Sequence, residues 1–304
     1  MTLEPRCCNI LLVKYNKMRL AVITDEISTD LAHALSVMRE YGAFGAELRN
    51  IWNKNIADIS NDEAQQAAKI VKDAGAEVVC IASPVFKCDL ESDISPAPGM
   101  THNAAEKPME EQPNVLRRCL EIADITGAEL VRVFSFWKRG KLTPEIEKRI
   151  VEELASAAEV ASKYGKTLVL ENEYSCYIGT GEETARVIRD VGAPNLLAAW
   201  DPANAFFAGE IPYPNGYNAV RSVTAHFHVK DAARKDTGEA HIVPVGEGQI
   251  DYYGQLKALK LDGYRGWYSL ETHYAPNGGS KEDGTRICLR ALIAMIEKIE
   301  NDQP

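Results

Sequence analysis

Four short apolar runs each end in a side chain that can bind a cation or carry a proton: Leu168-Val169-Leu170-Glu171, Ala199-Trp200-Asp201, Phe227-His228 and Ser269-Leu270-Glu271. Three carboxylates gathered in one place repel one another unless a cation lies between them. Adding an imidazole gives three oxygen donors and one nitrogen, a set that suits Mn2+, Mg2+ or Co2+ and admits Zn2+. Any one of these acids alone reads as a surface carboxylate at the start of a loop. That reading is poor for four residues in succession, each directly behind an apolar run. A second histidine, His226, shares a face with His228, because side chains in an extended strand alternate. The pair is either a metal or substrate site or two hydrogen-bonded core histidines.

Such residues need elements that bring their ends together. From Met18 onward the chain alternates strand and helix patterns. Strands are expected at Arg19–Ile23, Phe44–Arg49, Glu77–Ser83, Glu129–Phe136, Lys166–Glu171, Leu196–Asp201, Thr224–Val229 and Tyr264–Glu271. Helices are expected at 31–41, 61–74 (capped by Ser60), 112–127, 143–164, 182–191, 217–221, 250–261 and 281–300. This is the count of an α/β chain folded as a single (β/α)8 TIM barrel over residues 18–304. Residues 1–17 form an N-terminal extension, poorly ordered or leading into the first strand. A doubly wound open sheet is the competing architecture. Thr24-Asp25-Glu26 stands after the first strand where G-x-G-x-x-G would, and no composition break divides the chain. In a barrel the strand ends face a common centre at one rim, so Glu171, Asp201, His228 and Glu271 converge.

The acid excess, 44 Asp and Glu against 34 Lys and Arg with a net charge of −10, argues against a nucleic-acid partner. No apolar run approaches the roughly 20 residues of a membrane span. Asn9–Val13 is too short for a signal-peptide core. Seven scattered cysteines without a CxxC pair fit reduced thiols in a cytoplasmic protein.

Other side chains deserve separate weighing. Glu173 alternates onto the same side as Glu171, as a rival ligand or as a nearby base at the substrate. His226 lies deeper than His228, as a support, a substrate contact or core filling. Lys230 can hold a substrate oxygen or point to solvent. Glu47 reaches the pocket or pairs with Arg49 or Arg132. The Asn277–Ser280 turn after His273 is a plain turn or a phosphate cradle. Phe134, Phe136, Trp137, Phe206 and Phe207 suggest apolar walls, against a sugar or against a second subunit in a homo-oligomer. The long loop Pro84–Pro113 reads as a lid.

The runs Leu168-Val169-Leu170-Glu171-Asn172, Trp200-Asp201-Pro202-Ala203-Asn204, His228-Val229-Lys230-Asp231, Gly246-Glu247-Gly248 and Leu270-Glu271 together resemble the xylose-isomerase-like TIM-barrel superfamily. Within it they resemble the sugar phosphate isomerase/epimerase branch, which contains tagatose 3-epimerases, hydroxypyruvate isomerases and inosose dehydratases. The similarity spans about Met18 to Ile299 and is specific for the superfamily and metal site, not for a substrate. It implies that Glu171, Asp201, His228 and Glu271 hold one divalent ion, Mn2+ in first place, and that Glu171 and Glu271 are also the acid/base pair. Epimerases of the branch carry Asp-x-x-His after strand six. Here Asn204 takes the last position and can hydrogen-bond a hydroxyl without titrating. Arg234 matches the spacing of a substrate arginine six residues beyond the strand-seven histidine. The AP-endonuclease relatives need further zinc ligands, including an Asp-x-His before the Gly-x-Gly. The segment Gly238–Gly246 has a single histidine and no aspartate, which speaks against DNA repair.

The implied activity is proton transfer on a small keto sugar or keto polyol through an enediolate. Return of the proton on the opposite face is epimerisation, return at the adjacent carbon is isomerisation, and loss of a β-hydroxyl makes the enzyme a lyase on a keto-inositol or 3-keto glycoside. The ligand set does not choose among them. A non-catalytic sugar-binding barrel is the remaining reading, and the complete ligand set speaks against it.

Overall fold

The computed structural model describes residues 18–91, 100–101 and 104–302. The strands are short, apolar and buried on both faces, as parallel strands covered by helices must be. The first, β1 (Arg19–Ile23), is buried at every position after Arg19. It is followed by β2 (Gly45–Leu48), β3 (Glu77–Ile81), β4 (Leu130–Val133), β5 (Thr167–Glu171), β6 (Leu196–Trp200), β7 (Thr224–Val229) and β8 (Trp267–Leu270). All pair in parallel with their neighbours in sequence, and β8 returns to β1 from Arg19↔Trp267 to Val22↔Leu270, closing the barrel. The expected single (β/α)8 barrel is the observed fold.

The connecting helices are α1 (Leu31–Glu40), α2 (Asn61–Asp73), α3 (Gln112–Thr126), α4 (Pro144–Lys163), α5 (Gly181–Val191), α6 (Pro202–Phe207), α7 (Tyr217–Val220), α8 (Tyr252–Leu261) and α9 (Lys281–Asn301). Ser60 with Glu63, Thr180 with Glu183 and Ser280 with Asp283 form capping boxes that satisfy the first free N–H groups of α2, α5 and α9. Among the described residues, no helix is long and apolar enough to cross a membrane.

Alternation along the strands sorts the core into two. Leu168, Leu170, Trp200, Phe227, Val229 and Leu270 belong to the large cluster between strands and helices. Trp200 also donates its indole N–H to Gln255 Oε1 at 2.6 Å, tying β6 to α8. The barrel interior instead carries a small cluster of Ala21, Val79, Cys80, Val169 and Ala199. These side chains are mostly smaller than the Val, Ile and Leu that usually fill barrel interiors. The space is taken by buried polar groups: Glu47, Arg132, His226 and His228.

The barrel ladders are shorter than expected after β3 and β4. Phe134, Phe136 and Trp137 give their N–H groups to the carbonyls of Val85, Phe86 and Cys88 rather than to a neighbouring strand. Helix α6 and the antiparallel hairpin of Asp231–Arg234 with Ala240–Val243 were not anticipated. Residues 1–17 and part of the proposed lid, 92–99 and 102–103, lie outside the described residues.

Candidate metal centre

Glu171 closes β5, Asp201 follows β6, His228 is on β7 and Glu271 follows β8. One donor atom of each lies within 4.8 Å of all the others, and all four residues are buried. The His228 Nδ1 is 3.4 Å from Glu171 Oε1 and 3.9 Å from both Asp201 Oδ2 and Glu271 Oε2.

Each side chain is oriented by the local chain. Asp201 is the N-cap of α6, and its Oδ1 accepts from the Asn204 N–H at 2.9 Å, which leaves Oδ2 for the centre. Pro202 occupies the first helical turn, where no N–H is needed. Asn172 fixes the same corner, accepting from the Asp201 N–H and donating to the Asp201 carbonyl, both at 2.8 Å. Asn204 also donates to Glu171 Oε1 at 3.1 Å.

Each carboxylate of the cluster meets a cation. Arg132 Nη1 lies 3.0 Å from Glu171 Oε2. Lys230 Nζ stands 2.8 Å from both Asp201 Oδ2 and Glu271 Oε2. Arg49 donates to Glu271 Oε1 at 2.8 Å and also binds Asp25 and Glu26. His273, with φ 49°, brings its Nε2 to 3.0 Å from the same Glu271 oxygen.

Burial by itself raises the Glu171 carboxyl, but Arg132 and His228 outweigh it and hold the group at about 2. Burial likewise raises Glu271, and Lys230 with His273 pulls it well below the usual carboxylate range. Asp201 goes the other way, because burial together with the Glu271 and Glu171 charges prevails over Lys230. Burial lowers the His228 imidazole, but Glu47 and Glu171 lift it well above its ordinary value.

The donor set fits a divalent cation. His228 Nδ1 is buried and has no hydrogen-bond partner, while Glu171 Oε2 and Asp201 Oδ2 are held only by the charges of Arg132 and Lys230. An imidazole nitrogen without a partner, facing three carboxylates, is costly in a dry interior unless an ion occupies the centre. Two adjoining groups also have ligand spacing, Glu26 with Glu271 and His273, and Glu47 with Cys80 and His226. Their carboxylates are already held, Glu26 by Arg49 and Glu47 by histidine and serine donors.

The other expected site residues are placed unevenly. Asn204 and Lys230 stand against the four clustered residues. Glu173 is not in the ligand cluster: its Oε2 pairs with Lys87 Nζ at 2.8 Å and its Oε1 accepts from the Ser175 N–H. His226, expected among substrate contacts, is fully buried with its Nε2 2.7 Å from Glu47. Two residues down a strand is roughly 6–7 Å deeper, out of reach of a molecule at the rim. Arg234 is exposed on the hairpin, donates to the carbonyls of Phe206 and Gly238, and lies 4.7 Å over the Phe206 ring. Glu47 pairs with neither Arg49 nor Arg132 but with the two histidines. Ser280 and Asp283 occupy the start of α9 through their own cap.

Arg132 and Arg49, considered in the sequence only as partners of Glu47, are the cations of Glu171 and Glu271. Asp25 and Glu26 were read there only as a missing glycine motif. Their position directly behind β1 was the available signal. At the rim Phe134 lies under Lys87 and Arg132, Phe136 packs on Phe86, and Tyr174 stacks on Phe207 at 5.0 Å.

A closed parallel barrel with a cluster of three carboxylates and a histidine at its rim defines a class. The sequence also matches the family described as xylose isomerase-like TIM barrel over residues 35–294. The chain belongs to this family. Similar solved structures include the IolI protein with a bound zinc atom, at 17% identity and TM-score 0.71, covering 93% of this chain and 99% of that one. Another is the 3-keto-D-glucoside 4-epimerase YcjR from E. coli, at 17% identity and TM-score 0.65, with 92% and 99% covered. A third is the probable 3-DHS dehydratase AsbF from Bacillus anthracis, at 16% identity and TM-score 0.69, with 91% and 99% covered. None of the curated proteins matches the chain by sequence.

Proposed function

We propose that this chain is a divalent-cation-dependent isomerase or epimerase that moves a carbon-bound proton of a small keto sugar or keto polyol. The observation that carries the reading is the unpartnered His228 Nδ1 facing Glu171, Asp201 and Glu271. When bound, Mn2+ or a similar cation supplies Lewis acidity, polarising a substrate carbonyl and offsetting charge that develops on its oxygen.

The chain's own residues do the rest. Glu171 and Glu271 approach from β5 and from the end of β8, and both are held ionised, the form that accepts a proton. Lys230 and Asn204 stand beside the carboxylates, where an ammonium and an amide can hold substrate oxygens. Arg132 and Arg49 keep the two glutamates in place through buried ion pairs. A lyase reading is favoured by one feature, the Lys230 ammonium 2.8 Å from Glu271, where its charge can stabilise the oxygen of a departing hydroxyl. The epimerase and the dehydratase among the similar structures are consistent with either chemistry.

The test is a panel of ketoses, keto-inositols and 3-keto glycosides incubated in D2O with Mn2+. Deuterium is expected at the carbon next to the carbonyl, with product mass otherwise unchanged for an isomerase and reduced by water or a leaving group for a lyase. Conversion with no solvent deuterium in product or recovered substrate argues against proton transfer by the two carboxylates.

A further inference from the structure

We infer that Glu47 is a positioning residue for the metal centre: it grips the Nε2 side of His228 from below and so presents Nδ1 to the cation. The inference rests on reading Glu171, Asp201, His228 and Glu271 as a cation site. Glu47 lies on β2, which pairs with β1 and β3 and not with β7. Its side chain therefore crosses the barrel interior. Ala21, Cys80 and Ala199, all small, line that interior and leave the room.

The carboxylate is fully buried and receives donors from two other strands. His226 Nε2 lies 2.7 Å from Oε2, Ser269 Oγ donates to Oε2 at 2.6 Å, and His228 Nε2 lies 3.2 and 3.3 Å from Oε1 and Oε2. A carboxylate only accepts, so the imidazole nitrogens that face it carry the protons. A histidine that binds a cation does so as the neutral imidazole, and the other nitrogen then holds the lone pair. For His228 that nitrogen is Nδ1, which points at the ligand cluster and has no hydrogen-bond partner. A carboxylate behind a metal-binding histidine fixes the ring and strengthens the donor nitrogen. His226 and Ser269 hold the carboxylate still while it does so. A merely structural acid would be replaceable by its amide without effect on the cation. Glutamine, however, offers a single acceptor oxygen where Glu47 serves three donors, so the His228 grip loosens.

The test compares the parent with Glu47→Gln and His226→Asn. Zn2+ affinity is measured by competition with a chromophoric chelator. Histidine 15N NMR of the zinc-loaded protein reads which ring nitrogen carries the proton. The parent is expected to show His228 protonated on Nε2. Glu47→Gln is expected to weaken Zn2+ binding by about 10–100-fold. His226→Asn, which leaves Glu47 to His228, should stay close to the parent. Unchanged affinity in Glu47→Gln, or a His228 proton on Nδ1 in the zinc-loaded parent, overturns the inference even though the metal reading survives. If the parent binds no Zn2+, the metal reading fails, and metal-free spectra decide about Glu47. A slowly exchanging Nε2 proton on His228 that is lost in Glu47→Gln then upholds its orienting role, and its absence from the parent overturns it. Should Glu47→Gln not fold, the parent spectrum alone gives the answer by the same criterion.

Discussion

Arg132 shows what a charge requires inside this barrel. It is almost fully buried, and its guanidinium has Glu171 Oε2 and the Ala82 carbonyl as partners. Breaking such a pair from one side strands the other charge. Arg132→Met is therefore expected to cost about 3–5 kcal/mol in urea unfolding, and Arg132→Met with Glu171→Gln should recover part of that loss. Full stability of the single variant would show that Glu171 is neutral or otherwise paired. The candidate ligands make a separate prediction. Purified parent after mild dialysis should retain one divalent ion per chain by elemental analysis, whereas Glu171→Gln and Asp201→Asn should lose most of it. Equal occupancy in all three would remove the centre. Glu271→Gln that keeps its metal should still lose about 10²–10⁴-fold in turnover, the usual contribution of a general acid–base group.

At the level of elements, the site depends on how loops leave the strands. Asp231, just beyond β7, accepts from the N–H groups of Gly246 and Gly248 at 2.8 and 3.1 Å and so ties the start of the hairpin to the turn that follows it. A Cβ at Gly248 would lie 1.9 Å from Asp231 Oδ1 and 2.6 Å from the Ala232 carbonyl, so the turn cannot simply absorb it. Gly248→Ala is expected to lower the melting temperature and to weaken metal binding, because Lys230 adjoins the displaced segment. A variant with both properties intact would detach this turn from the site. Helix α9 offers a milder case. Ser280 accepts from the Asp283 N–H and Asp283 returns the favour to the Ser280 N–H. Ser280→Ala should cost about 1 kcal/mol, with metal affinity unchanged.

At the scale of the whole molecule, burial controls the thiols of the described residues. Cys80, Cys88, Cys119, Cys176 and Cys288 are free and buried. Burial pushes the Cys119 thiol up to about 12 and that of Cys288 to about 11. Since the thiolate is the reactive form, these groups should resist alkylation in the folded protein. With Cys7 and Cys8 replaced by serine, labelling should wait for unfolding. Rapid modification of any one thiol would reveal local opening at that place. The net charge of −10 and the single histidine in the Gly238–Gly246 segment lead to a further expectation of no binding to abasic-site DNA at physiological salt. Incision of such DNA would place the chain on a different branch of chemistry.

Local pattern was enough for the barrel and for the four ligand candidates. Two-residue alternation puts His226 and His228 on one face, and a parallel barrel aims the residues at its strand ends towards one centre. The short helix after Asp201 was not anticipated, although Asp-Pro at a cap and first turn was an available signal for it. The partners of those ligands were not legible. Glu47 meets His228 across 181 residues, and Arg49 meets Glu271 across 222. Strand periodicity states that a side chain points inward. It does not state how far the side chain reaches across the interior. That depends on the volumes of the facing side chains, which only closure of the barrel brings together. The sequence left Glu47 either reaching the pocket or pairing with arginine. The small residues at Ala21, Cys80 and Ala199 make room for it as the acid beneath a histidine pair, and the tertiary structure alone decided it.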